Sequence, residues 1–218
     1  MIIKKNNTKA VIIIFVVLLI GTYGCQDKEP QLDTYGTLPD FSLFDQQGDI
    51  FSKSDIEGKV VLANFIFTSC TQFCPVLTPR FETVQNLIVA NEKLSNRVIL
   101  LSFSVDPVQD SIDVLSEYSF KYGVDYHHWR FLTGDPEQIR DIVSKGVMLS
   151  FQKLNKSFDH IHDDGSVHVH GYDVAHTNKV ALVDTEGSIR AFYSGVDFGD
   201  DSDWDIDKVI LDMEYLAR

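Results

Sequence analysis

The chain has 218 residues, with 32 acidic and 19 basic side chains and a net charge of −13 at pH 7. That length suits one domain with a full core and is short for two. The acidic balance argues against nucleic acid and anionic lipid headgroups as partners, and otherwise describes an ordinary solvated surface.

Lys4, Lys5 and Lys9 precede an apolar run from Ala10 to Ile20. As a helix that run rises only about 16 Å, against a hydrocarbon core of about 30 Å. Residues 1–24 therefore read as a signal peptide rather than a membrane span. The Gly24–Cys25 junction resembles the bacterial lipoprotein cleavage site, at which the cysteine is lipidated; Thr22 stands where such sites more often carry Leu. The alternative is an ordinary secretory signal with Cys25 a bystander. Either way the mature chain is expected outside the cytoplasm, in the cell envelope. Residues 25–37, polar and carrying Pro30, read as a tether, and residues 38–218 as the domain.

Leu38–Leu43 opens the folded part. Lys59–Phe67 (KVVLANFIF) and Arg97–Val105 (RVILLSFSV) are nearly continuous apolar runs rich in β-formers, as in strands buried on both faces. Between them, Phe81, Val84, Leu87 and Ile88 recur at helical spacing within Val76–Leu94. Ser111–Tyr122 and Pro136–Ser144 read as helices, Pro136 standing where a missing N–H costs nothing. Trp129–Leu132 between them reads as a short strand. Lys179–Val183 and Ser188–Tyr193 form a hairpin about Asp184-Thr185-Glu186-Gly187. An amphipathic helix over Ser202–Leu216 ends the chain. This order predicts an α/β three-layer sandwich of thioredoxin-like type, with a mixed central sheet and helices on both faces.

Cys70 and Cys74 lie in FTSCTQFCP, which leaves a buried strand and enters a helix with Pro75 in its first turn. Free N–H groups and the dipole at a helix N-terminus favour the thiolate. In an oxidising compartment such a pair is a structural disulfide, a redox pair or a metal site. A second cluster, HIHDDGSVHVH, carries His160, His162, His168 and His170. His-x-His on either side of Asp-Asp-Gly predicts an extra β-hairpin, each pair on one face of its strand. It reads either as a solvated hairpin tip or as an auxiliary metal-capture arm. His127 and His128 read as surface residues.

Phe-Thr-x-Cys-x-x-x-Cys-Pro resembles the signature of the Sco (SenC) family of copper chaperones. Ser104-Val105-Asp106-Pro107 with Asp110, Phe131-Leu132-Thr133-Gly134, and Tyr172-Asp173-Val174-Ala175-His176 resemble its further landmarks. The resemblance implies copper ligation, as Cu(I) or Cu(II), by Cys70, Cys74 and His176. Ala175 and Thr177 stand where the family commonly has Asp and Ser, so a carboxylate that could orient the imidazole is missing. Taken alone, His176 reads more readily as a core histidine than as a ligand. Thioredoxins keep a cis-proline beside their cysteines, however, and this chain has no proline after Pro136, which leaves that slot open to a ligand. Asp106 is either a fourth group at the site or the cap of the following helix.

The expected function is an extracytoplasmic metallochaperone delivering copper to the copper-binding subunit of a cytochrome oxidase, a binding protein and not strictly an enzyme. The rival is a thiol–disulfide oxidoreductase that keeps the partner's cysteines reduced, which needs both sulfurs but not His176. A peroxidase and a copper sensor rank behind these.

Overall fold

The computed structural model describes residues 30–146, 160–161, 167–168, 179–196 and 204–218. The leader, Cys25, His162, His170, His176 and the expected helix start at Ser202 lie outside these residues. Residues Leu32–Arg218 cluster as one unit.

From the N-terminus the strands are β1 (Gly36–Thr37), β2 (Ser42–Asp45), β3 (Ile50–Ser52), β4 (Val60–Ile66), β5 (Val98–Ser104), β6 (Trp129–Thr133), β7 (His160–Ile161), β8 (Val167–His168), β9 (Lys179–Val183) and β10 (Ser188–Ser194). The helices are α1 (Cys74–Ala90), α2 (Ile112–Lys121), α3 (Pro136–Asp141), running into a π-turn at Ile142–Gly146, and α4 (Ile206–Leu216). Eight strands form one sheet in the order β1-β10-β9-β4-β5-β6-β2-β3. β4, β5 and β6 are parallel neighbours, whereas β4 pairs antiparallel with β9. The mixed sheet expected from the sequence is present.

Every residue of β4 and β5 is buried, as continuous apolar runs demand when both sheet faces are covered. On one face Leu62, Ile66, Leu100, Trp129 and Phe131 meet Leu77, Phe81, Val84 and Ile88 of α1, Leu115 of α2, and Val209 and Met213 of α4. On the other, Val61, Phe65, Ile99, Leu101 and Phe103 meet Phe41, Ile56 and the α3 region through Ile139, Ile142 and Val143. That alternation is the strand period of two made visible. Each fully buried Leu, Ile or Phe contributes about 1.5–3 kcal/mol.

Two elements depart from the sequence reading. The segment taken as the end of the tether is part of the fold: Gly36–Thr37 pairs with Ser188–Ile189, and Arg190 donates to the carbonyls of Leu32 and Asp33, each at 2.9 Å. The β2–β3 hairpin was not expected. Its turn is built by Asp45, whose Oδ1 accepts from the Gln47 and Asp49 N–H groups at 2.8 and 3.0 Å. Gly48 supplies the left-handed φ of 85° that the turn requires. Short strands around a polar turn give too few alternations to be read as a pattern. Gly134 is needed for close approach, since a Cβ there would meet a Leu43 methyl at 3.0 Å.

Candidate metal centre

The parallel strands β4, β5 and β6 end at the same edge of the sheet, and the cysteine loop leaves β4 there. α/β sheets commonly place ligand crevices at such carboxyl ends. Cys70 N–H donates to the Phe67 carbonyl at 3.1 Å, and Phe73 O accepts from Val76 and Leu77 at 3.0 and 2.9 Å. The first loop turn and the first helical turn are thus fixed by backbone alone. Pro75 sits in the opening turn of α1, where the sequence placed it. No charged residue occurs from Phe67 to Pro79.

Both thiols are free and buried, Cys70 at 8% and Cys74 at 4% exposure. Their protonation differs. Burial pushes the Cys70 thiol up, but backbone N–H donors of Cys74, Gln72 and Phe73, together with the Cys74 thiol, outweigh it and hold Cys70 below its ordinary value. Burial raises Cys74 to about 12, against help from the Phe67 N–H, with the Cys70 sulfur and the Asp110 charge adding to the rise. The loop presents one sulfur primed as thiolate and one kept as thiol.

Behind this loop lies a carboxylate whose role the sequence left unread. Asp110 is fully buried. Its Oδ1 accepts from Thr68 N at 3.1 Å and from Thr68 Oγ1 at 2.5 Å, while Oδ2 accepts from Ser104 Oγ at 2.6 Å. Burial raises its pKa, the Ser104 and Thr68 donors oppose that, and the charge of Asp106 reinforces it. Beside Cys74, the Tyr118 hydroxyl pairs with Thr78 Oγ1 at 2.9 Å. Burial raises that phenol's pKa, and the Cys74 charge adds to the rise. The signal in the sequence was Ser104 closing an apolar strand and Asp110 six residues on, within the landmark that resembles the family's.

Of the expected site residues, the structure brings Cys70 and Cys74 together. Asp106 is half-buried; its carbonyl accepts from Gln109 and Asp110 N–H, and its Oδ1 from Gln109 N at 3.4 Å. It therefore caps the turn before α2, whose own N-cap is Ser111. Among the described residues no three His, Cys, Asp or Glu side chains gather as a metal cluster. β7 and β8 pair antiparallel with His160 opposite His168. His128 is not a free surface residue: Nδ1 meets Asp125 Oδ2 at 2.9 Å and Nε2 meets Ser95 Oγ at 3.3 Å, bracing the entry to β6. A cavity of about 480 Å³ lies at the opposite end of β4, among Phe41, Lys53, Lys59, Val183 and Glu186, and is no part of the cysteine centre.

Comparison with known proteins adds a family model described as SCO1/SenC, which matches residues 29–210. The SCO1 protein homolog of Bacillus subtilis is 31% identical over 88% of this chain and 89% of its own. A Stutzerimonas stutzeri protein whose name proposes copper binding is 26% identical over 70% of this chain and 67% of its own. A SCO1/SenC family lipoprotein of Bacillus anthracis superposes with a TM-score of 0.63, at 28% identity, over 86% of this chain and 98% of that one. BsSco, in which a disulfide switch is described and which is a member of the Sco family of cytochrome c oxidase assembly proteins, superposes with a TM-score of 0.64, at 27% identity, over 88% and 98%. The fold is that of these thioredoxin-like proteins. Among the described residues no helix is long and apolar enough to cross a membrane.

Proposed function

The chain belongs to the SCO1/SenC family, and on that premise we propose that it binds copper in cytochrome oxidase assembly. Reduced Cys70 and Cys74 take the ion together with His176, and ligand exchange passes it to the cysteines of the oxidase's copper-binding subunit. The observation that carries this reading is the pair of adjacent free thiols, one of them biased toward thiolate by three backbone N–H donors. Two sulfurs and an imidazole are a soft set, suited to Cu(I) and able to hold Cu(II). A structural zinc site would want a fourth protein ligand. Copper is here cargo. The chain's own part is to keep the sulfurs reduced, adjacent and shielded, with Cys74 surrendering its proton as the ion enters. Cys25 as a lipid anchor would hold the domain at the outer face of a bacterial membrane, and the leader pattern supports that placement.

The test is anaerobic copper titration of the reduced full chain beside Cys70→Ala, Cys74→Ala and His176→Ala. One tight copper per chain, lost in both cysteine variants and weakened in the histidine variant, is expected. Equal binding by all four would end the proposal.

The unequal thiols also favour the rival reading as a disulfide reductant. Cys70 thiolate attacks a partner disulfide and releases one partner thiolate; Cys74, deprotonated, then attacks the Cys70 sulfur and releases the other. The partner gains two electrons and the Cys70–Cys74 pair loses them. Under that reading His176→Ala retains reductase activity, whereas copper loading falls.

His160 and His168, opposed on their ladder, stand with His162 and His170 as a proposed auxiliary copper-capture arm. Replacing all four should lower copper stoichiometry or affinity; unchanged values would remove the arm from the mechanism.

A further inference from the structure

The cysteine loop is anchored from below by a side chain that touches neither sulfur's immediate backbone. Thr68 is the second residue after β4 and stands two before Cys70. Both of its donors, N–H and O–H, are spent on the Asp110 carboxylate. That carboxylate is in turn fixed from the neighbouring strands. Ser104 at the end of β5 donates to Oδ2 at 2.6 Å, Thr133 at the end of β6 donates to the Asp110 carbonyl at 2.9 Å, and Asp110 N–H reaches Asp106 O at 2.9 Å. One buried residue thus ties the carboxyl ends of two parallel strands to the start of the loop that leaves the third.

Thr68 also sits where both sulfurs are set. Phe67, its neighbour, accepts the Cys70 N–H through its carbonyl at 3.1 Å, and its own N–H supports the Cys74 sulfur. A shift at Thr68 therefore moves Cys70 through the turn and Cys74 through the Phe67 amide.

We infer that Asp110 is a positioning residue for the Cys70–Cys74 pair, acting through Thr68 to hold the two sulfurs at the spacing the centre uses. This rests on the reading above that the pair is the working centre. A purely structural role would be felt in stability alone, because the buried Ser104 hydroxyl and the part-buried Thr68 donors would be left with a poorer acceptor. A positioning role is felt at the sulfurs as well.

The experiment compares Asp110→Asn, Thr68→Val and Thr68→Ser with the wild-type full chain. It measures three things: Cu(I) affinity by competition, the midpoint potential of the metal-free Cys70–Cys74 couple, and the thiolate-to-Cu(II) absorption band. Folding is checked by circular dichroism. Asp110→Asn should weaken Cu(I) binding about 10- to 100-fold, and shift both the potential and the band. Thr68→Val should act in the same direction and less, and Thr68→Ser, which keeps both donors, should match wild type. The double variant Asp110→Asn/Thr68→Val should lose no more than Asp110→Asn alone, because the two act through one contact. Folded Asp110→Asn with wild-type affinity, potential and band overturns the inference. Should Asp110→Asn not fold, Thr68→Val decides: loss restored in Thr68→Ser supports it, and no loss overturns it. Absence of copper binding by wild type would sink the copper reading, while the metal-free potential still decides the role of Asp110.

Discussion

Asp110 and Asp212 are both buried carboxylates in one small domain, yet their partners differ in kind. Asp212, on α4, accepts the Tyr193 hydroxyl of β10 at 2.7 Å and the Lys208 ammonium at 2.5 Å. Its charge is met by a cation, and it braces the last helix on the sheet. Asp110 is met by two hydroxyls and one amide and, among the described residues, forms no ion pair. A buried charge without a counter-charge is costly, and folds place that cost where a function depends on the group. Burial is what chiefly raises Cys74, to about 12, and the Asp110 charge adds a lesser push in the same direction. The brace tolerates a full ion pair because nothing reactive lies beside it.

The contrast predicts a ranked set of effects. The largest is at the sulfurs. Cys70 should alkylate with iodoacetamide at pH 7 at least about 100-fold faster than Cys74, as read by peptide mass spectrometry; equal rates would erase the asymmetry assigned to the loop. Next, Asp212→Ala strands the buried Tyr193 hydroxyl and should cost about 2 kcal/mol in urea unfolding with copper affinity unchanged. A fall in copper affinity would show that the two carboxylates are not separate in role. Lys208→Met leaves the buried Asp212 carboxylate with the Tyr193 hydroxyl as its remaining named partner and should cost about 1–2 kcal/mol, the half-exposed ammonium site letting water replace part of what is lost.

The smallest effect is in pH dependence. The folded chain holds the Asp110 proton above the usual value of 3.8, so it binds that proton more tightly than the unfolded chain does. The stability this contributes is full below the usual carboxylate value and is lost as pH rises through the folded value. Asp110→Asn should therefore flatten the fall in stability on going from pH 4 toward neutral. Unfolding free energies at the two ends check it, and a slope identical to wild type would contradict the raised value.

The histidines divide in a similar way. For His160 and His168 the structure gives a two-residue ladder that registers them opposite one another. His128 was misread as a surface residue. Its partners are Asp125, three residues back, and Ser95, which is 33 residues away, and no local pattern distinguishes an imidazole so held from one in solvent. For Asp106, left open between ligand and cap, the structure shows a contact of its Oδ1 with the Gln109 amide at 3.4 Å, while the cap of α2 is Ser111.

By itself the sequence determined the elements and the chemistry they carry. Long apolar runs made β4 and β5, helical spacing made α1, Asp184-Thr185-Glu186-Gly187 closed β9 on β10, and Cys70-Thr71-Gln72-Phe73-Cys74-Pro75 put two sulfurs at a helix start. Each of these is written in contiguous residues, where periodicity and turn chemistry act over a few bonds. Only the tertiary structure decided that β4 lies between β5 and β9, that Gly36–Thr37 closes an edge of the sheet, and that Asp110 reaches Thr68 across 42 residues of chain. Those choices depend on which distant surfaces bury one another and which buried donors find an acceptor. That is a property of the packed whole, and no stretch of sequence holds it alone.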